Sequence, residues 1–249
     1  METHTEIHKR NTLEVSEVFG PTIQGEGPML GRSAVFIRVR RCPFYCQWCD
    51  TKYTWDKNDP AYQVYDVYTI ENLADKVLGI LGKDNLLILT GGEPVVWQYQ
   101  LARLIEILLN KLGSNLSIEV ETAGGIYPKY LTEFIEVRFN VSPKLSNSGM
   151  PYETRIKPEV LRAYSLLAQA TSRAIFKFVV PIESWQASFM EIKELEQEYQ
   201  LAPIFIMPEG TTPERILEGL RVLVNPTIES GWRLTPRLHT LLWGNTRGK

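Results

Sequence analysis

Ser33-Ala-Val-Phe-Ile-Arg-Val39 leads, after two arginines, into Cys42-Pro-Phe-Tyr-Cys46-Gln-Trp-Cys49. The first stretch is apolar and β-rich, and it predicts a core strand. The second is a C-x3-C-x2-C loop at that strand's carboxyl end. Downstream, strands are expected at 85–89, 116–120, 137–141, 174–180 and 204–207. Helices are expected at 69–82, 98–112, 128–136, 159–168, 183–200 and 213–224, with Pro213 opening the last and Gly113 closing the second. The strands read as continuous apolar runs, as when both faces of a sheet are covered. Strands alternating with helices predict a mainly parallel α/β sheet, and about six such units point to a full or partial barrel. Chemistry then belongs at the carboxyl ends of the strands.

The cysteine loop sits at such an end. The chain has 249 residues and three cysteines, all in this loop. An odd, tightly packed count is not a disulfide framework. Structural zinc wants four ligands, and the histidines His4, His8 and His239 are distant in sequence. Three thiolates instead suit a [4Fe–4S] cluster whose fourth iron has no protein ligand. Thr90-Gly91-Gly92-Glu93-Pro94 follows the next predicted strand, and paired glycines let a backbone approach a ligand closely. A plain turn remains the alternative reading of Gly-Gly alone.

These two motifs in this order resemble the radical S-adenosylmethionine (SAM) superfamily. The resemblance implies a [4Fe–4S] cluster on Cys42, Cys46 and Cys49, and SAM chelated to the open iron. It implies one-electron cleavage to a 5′-deoxyadenosyl radical that abstracts hydrogen. The implied fold is a partial (β/α)6-type TIM barrel with room for an extra terminal strand and helix, a single domain over 1–249. Its core would cover about 30–245, with 1–14 flexible. Gly91, Gly92 and Glu93 would meet the SAM amino group. Glu121, Ser142, Pro143 and Lys144, after the third and fourth strands, would lie near its ribose and carboxylate.

Four further segments narrow the likeness. Phe19-Gly-Pro-Thr-Ile-Gln-Gly-Glu-Gly27, Phe36-Ile37-Arg38, Cys49-Asp50-Thr51 and Leu238-His-Thr-Leu-Leu-Trp-Gly-Asn245 resemble, in order, the 7-carboxy-7-deazaguanine synthase family. That likeness implies a ring contraction of 6-carboxy-5,6,7,8-tetrahydropterin with loss of ammonia, SAM being regenerated, on the route to 7-cyano-7-deazaguanine and queuosine. It implies Mg²⁺ held by Thr51, the substrate carboxylate and waters. A pterin edge rich in N–H donors would meet acceptors on Ile23, Gln24, Gly25 and Glu26. Arg38 would grip the carboxylate with its fork, and Thr90 and His239 would touch substrate. A turn-capping Thr51 and a structural His239 are the competing readings. Asp50 would orient a metal-bound water or cap its loop. Trp48, Tyr45 and Phe44 would shield the cluster.

Composition agrees with a small-molecule enzyme. Acids number 29 against 27 bases, with no block of five like charges, which argues against a nucleic-acid groove. No run of 18 apolar residues predicts a membrane span, and the polar N-terminus lacks a signal-like apolar region. A cytoplasmic protein is expected, with an electron donor such as flavodoxin or ferredoxin. The resemblance suggests a homodimer, with Trp55, Tyr62, Tyr65 and Tyr68 as exposed aromatics for an interface. A glycyl-radical activase would share the cysteine loop and Gly-Gly-Glu without needing Ile23–Glu26 or Asp50-Thr51. A metal-binding interaction module would hold zinc.

Overall fold

Thr12–Ile23 forms a long first strand (β1) in the computed structural model, which describes residues 11–249. In chain order follow β2 (Ser33–Val39), β3 (Asp66–Thr69), α1 (Ile70–Ile80), β4 (Leu86–Gly91), α2 (Gln98–Leu112), β5 (Ser117–Thr122) and β6 (Val137–Val141). Then come α3 (Tyr152–Arg155), α4 (Pro158–Thr171), β7 (Ala174–Val180), α5 (Trp185–Tyr199), β8 (Ile204–Pro208), α6 (Pro213–Glu229), β9 (Arg233–Leu234) and α7 (Leu238–Trp243). The strands make one sheet in the order β3-β1-β2-β4-β5-β6-β7-β8-β9. From β2 to β9 every pairing is parallel, while β1 and β3 add on antiparallel at the β2 side. The sheet has two ends, so the architecture is the expected partial α/β barrel.

Local chemistry explains the helices. Thr69 caps α1 by accepting from the Asn72 N–H at 3.2 Å, and Ile70, Leu73, Ala74 and Val77 form its buried stripe. Gly113 at φ 62° stops α2. Thr212 caps α6, which runs past Pro226 to Glu229, further than the predicted 224. Pro226 removes one helical donor, and the last turn is held instead by packing: Thr227 is buried, and its hydroxyl bonds back to the Leu223 carbonyl at 2.6 Å. At 128–136 the expected helix is absent. A single 3-10 turn, Leu131–Glu133, stands there, with Leu131 as its one buried residue.

Two strands escape the apolar pattern. β1 carries bulges between Val15 and Glu17 and between Phe19 and Thr22, so its sequence never shows a clean period of two. β3 has only four residues, at the sheet's edge. Thr12–Glu14 belong to β1, so the expected flexibility of 1–14 does not extend to them; residues 1–10, with His4 and His8, lie outside the described residues.

Apolar packing is concentrated on the outer face. Ile37, Leu87, Leu89, Val120, Phe139, Val141 and Phe176 pack there against Leu101, Leu104, Leu161 and Tyr164 of the helices. The inner face differs from the predicted continuous apolar runs. It begins with a small apolar layer, Ala34, Phe36, Leu86 and Ile88, capped by Phe19 stacked on Phe36 at 4.9 Å. Above that layer β5, β6 and β7 alternate, turning Glu119, Glu121, Asn140 and Lys177 toward the barrel's interior while their neighbours face the helices. Of the aromatics expected at an interface, only Tyr65 is exposed. Trp55, Tyr62 and Tyr68 are half-buried, and Tyr62 and Tyr65 clasp the Arg40 guanidinium at 4.1 and 3.8 Å.

Phe139 meets Tyr164 edge-on at 5.3 Å and joins β6 to α4. Phe139→Ala is expected to cost about 3–5 kcal/mol in denaturant unfolding. A loss below about 1 kcal/mol would show that the outer layer can collapse around the gap.

Candidate functional site

The cysteine loop leaves β2 and folds over the carboxyl ends of the parallel strands, where Cys42, Cys46 and Cys49 line one cavity. Packing fixes the loop. Gln47 N–H donates to the Ser148 carbonyl at 3.0 Å, and Trp48 Nε1–H to Asn147 Oδ1 at 3.0 Å. Phe44 lies so close to Gly125 that a Cβ there would come within 2.3 Å of the ring. Trp55 Nε1–H points at Cys49 Sγ, 3.4 Å away. Burial, reinforced by nearby Glu93, pushes the Cys42 thiol up, a bias that bound positive metal would reverse.

The donor set can be tested against a cluster. Three thiols share the cavity in an apolar setting of Phe44, Ala123 and Met150, with Trp48 packed alongside. Three thiols on the wall of one cavity are the soft donor type that an iron–sulfur cluster takes.

Gly91 and Gly92 owe their identity to the end of β2 and the start of this loop. A Cβ on Gly91 would fall 2.3 Å from the Val39 carbonyl oxygen, and one on Gly92 would fall 2.2 Å from that of Arg41. Both glycines line the cavity. Glu93 does not meet the expectation that its carboxylate faces SAM. Its side chain is 0% exposed and accepts from Val95 N–H, Ala123 N–H and the Thr122 hydroxyl at 3.0, 2.8 and 2.8 Å. Burial nevertheless pushes its pKa up. Glu93 is thus a brace tying the Gly-Gly turn to the loop after β5. Pro143 also stays out of the lining; it is buried, and it restricts the backbone of Ser142, which does line the cavity with Lys144. Lys144 Nζ donates to Ser142 Oγ at 3.0 Å and lies 5.5 Å from the Trp48 ring centroid.

Register builds the second wall. Arg38 pairs with Thr90 across β2–β4, and Glu121 with Asn140 across β5–β6. Thr90 donates to Glu121 Oε2 at 2.7 Å, closing the ladder. Gln24, buried beneath, donates to Glu119 Oε1 at 2.8 Å and Glu121 Oε1 at 3.1 Å, and its carbonyl accepts from the Glu26 N–H. Burial first, and Glu121 second, push the Glu119 carboxyl up to about 8. Among the described residues, Glu119 Oε2 and both polar atoms of Asn140 make no well-formed hydrogen bond, although the Asn140 amide bears on the Glu119 carboxyl.

Glu26 is the hub of the third wall. It pairs with Lys177 Nζ and with Arg237 Nε, the latter at 3.1 Å. Arg237 also pairs with Asp50 and donates to the Gly210 carbonyl at 2.8 Å. Burial alone would push Glu26 up; Lys177, Arg237 and His239 outweigh it and hold the carboxyl far below its usual range. Burial opposes the Lys177 charge too, yet Glu26 and Glu121 hold its pKa above normal. Asp50 pairs with Arg237 instead of capping its own loop, and that pairing lowers its pKa against burial. His239 lines the cavity, and burial pushes its pKa down, so its ring is neutral at neutral pH. Gly25 is not a cavity residue. It accepts the Leu238 N–H at 2.8 Å, and a Cβ there would strike the His239 ring at 2.1 Å, so it seats the tail.

Thr51 lines the cavity with its Oγ1 3.6 Å from Cys49 Sγ. Its hydroxyl caps nothing in the 3-10 turn Lys52–Thr54, which sets aside the turn-capping reading. Ile23 lines the cavity at the end of β1. Sequence reasoning missed Lys177, Asn140, Glu119 and Arg237. One signal was a lone charge or amide inside an apolar strand, as in Ala174-Ile-Phe-Lys-Phe-Val-Val180.

The radical SAM superfamily model matches residues 36–177. The chain is 36% identical over 239 residues to the 7-carboxy-7-deazaguanine synthase of Pyrobaculum aerophilum, covering 95% of this chain and 97% of that one. It is 30% identical over 254 residues to the Bacillus subtilis protein of the same name, covering 95% and 98%. The crystal structure of QueE from Escherichia coli shares the fold with a TM-score of 0.66 and 24% identity, over 94% of this chain and 97% of that one.

The folded protein keeps the Glu119 proton up to about 8, while the unfolded chain releases it in the ordinary carboxylate range. The folded state therefore binds more protons in between, and stability falls as pH rises across that window. Glu119→Gln is expected to flatten the fall, read from denaturant midpoints of the metal-free protein. An equally steep fall in the variant would contradict this.

Proposed function

Because the chain belongs to the radical SAM superfamily and to its 7-carboxy-7-deazaguanine synthase family, we propose that it converts 6-carboxy-5,6,7,8-tetrahydropterin to 7-carboxy-7-deazaguanine with loss of ammonia. The observation that carries this reading is one cavity lined by three thiols, the Thr51 hydroxyl, the Arg38 fork and the acceptors of Ile23, Gln24 and Glu26. When bound, the cluster and SAM supply one-electron cleavage of a carbon–sulfur bond and the abstraction of a hydrogen atom.

The chain's own residues bind and orient. Cys42, Cys46 and Cys49 would hold the cluster, three thiols being all that the sequence offers it. Gly91 and Gly92 offer backbone to the SAM amino group, the Glu93 side chain being occupied. Lys144 places its ammonium beside Ser142 at the cavity wall, where a carboxylate would pair with it. Glu121, bonded to Thr90, faces the same space.

For the pterin, Arg38 takes the carboxylate by a charge-assisted fork. The Thr51 hydroxyl would be the protein oxygen offered to a Mg²⁺ ion at the cavity, as suits an ion that keeps most of its waters, and the ion would supply charge to hold the substrate carboxylate. Gln24, Glu26 and the Ile23 backbone receive the ring's donors. The neutral His239 imidazole accepts or donates at the substrate and can carry a proton late in the reaction. Phe19, Phe36 and Trp48 exclude water.

Such an enzyme needs a reductant; a flavodoxin or ferredoxin is the class we assign. We also assign it to the cytoplasm and to a homodimer. No described helix is long and apolar enough to cross a membrane.

Anaerobic incubation with SAM, reductant, Mg²⁺ and the carboxylated tetrahydropterin is expected to yield the deazapurine. 5′-Deoxyadenosine without deazapurine would overturn the substrate assignment. Alanine at Cys42, Cys46 or Cys49 is expected to abolish both the brown chromophore and turnover, and retained activity would refute the thiol role. Thr51→Ala is expected to leave the chromophore intact while lowering turnover and shifting the Mg²⁺ dependence. An unchanged Mg²⁺ response would remove Thr51 from the site.

A further inference from the structure

Glu17 stands directly opposite Arg38 in the β1–β2 register. Its Oε2 accepts Arg38 Nε–H at 3.0 Å and the Tyr53 hydroxyl at 3.2 Å, while its Oε1 accepts Arg247 Nε–H at 2.6 Å. The Arg247 guanidinium also lies 4.0 Å from the Tyr53 ring centroid. One carboxylate therefore gathers three pieces of chain: the strand bearing the fork, the turn after Thr51, and the C-terminal tail. Burial pushes the Tyr53 phenol up to about 12, so it stays a donor to Glu17 across the physiological range.

Arg38 lines the cavity, but Glu17 is not in its lining. The Glu17 contact uses Nε, and no described residue accepts from the two terminal nitrogens of Arg38. A guanidinium held by Nε on one side keeps its end-on pair of N–H groups for a second carboxylate, in a fixed plane. Glu17 itself faces two guanidinium groups, while Asp50 and Glu121 act on Arg38 from the cavity side. Arg247 is 45% exposed, so its link is the weaker one, and it anchors a tail whose last residue, Lys249, lines the cavity.

We infer that Glu17 is a positioning residue for substrate selection: bonded to Arg38, Tyr53 and Arg247, it orients the Arg38 fork so that the site prefers a carboxylated pterin over one lacking that group. The inference rests on the assignment of Arg38 to the substrate carboxylate, and its test separates the two.

Binding of 6-carboxy-5,6,7,8-tetrahydropterin and of the same pterin without its carboxylate is measured anaerobically on the cluster-loaded enzyme, with KM and kcat alongside. Glu17→Gln is expected to weaken the carboxylated ligand about tenfold, leave the other unchanged, and raise KM with kcat within about twofold. Arg247→Ala is expected to produce a smaller change in the same direction, about threefold. In an Arg38→Ala background, Glu17→Gln is expected to add nothing. Equal weakening of both pterins by Glu17→Gln, or its full effect persisting without Arg38, would overturn the inference while leaving Arg38's role intact. If Arg38→Ala alone binds both pterins like the unaltered enzyme, the assignment of Arg38 fails, and the inference with it. Should Glu17→Gln not fold, Glu17→Asp, which keeps the charge but withdraws it by one methylene, carries the same comparison.

Discussion

Glu26 is caught between Lys177 and Arg237, and the rest of the cavity follows from that arrangement. Lys177 belongs to β7, Glu26 to the loop after β1, and Arg237 to the segment leading into α7, while Arg237 reaches on to Asp50 beside the last cysteine. Four regions far apart in sequence meet through two carboxylates and two cations. Taking such charges out of water costs several kcal/mol per ion, so the network is a poor source of stability. What it supplies is placement: the cysteine loop, the pterin-facing loop and the tail cannot move independently without stranding a buried charge.

That placement divides the barrel into two chemistries. The outer face of the sheet is apolar and sealed by helices. The inner face is apolar only in its lowest layer and then turns polar, with partners drawn from the next strand, as Thr90 from Glu121, or from the loop after β1, as Lys177 from Glu26. Low-dielectric walls strengthen every interaction within them, so ligand groups would meet fixed partners rather than water. Among the described residues, Asn140 and Glu119 meet beneath Gln24 without a well-formed hydrogen bond.

Much of this was legible in the residues. The helix at 98–112 and the strands at 137–141 and 174–180 appear at their predicted limits, because each is a strong period bounded by a clear break. The cysteine loop and Gly91-Gly92, each after a predicted strand, share one cavity, and Ile23, Gln24 and Glu26 join them from a segment that the sequence places before its first predicted strand. Less visible was anything decided by a partner across the fold. Bulged β1 hides its period, so Glu17 reads as an ordinary acid until Arg38 and Arg247 close on it. Glu93 looks like a ligand for an ammonium group, and only packing reveals that backbone donors of the next loop already occupy it. Gly25 looks like part of a ligand loop, whereas it is glycine because the His239 ring needs the space.

The central claim is a three-thiol cluster with one iron open to SAM, and spectroscopy of the reduced, oxygen-free protein tests it most directly. The account predicts about four irons and four sulfides per chain, with an electron paramagnetic resonance signal that shifts when SAM is added. A colourless protein holding one zinc per chain, or a cluster signal indifferent to SAM, would contradict it.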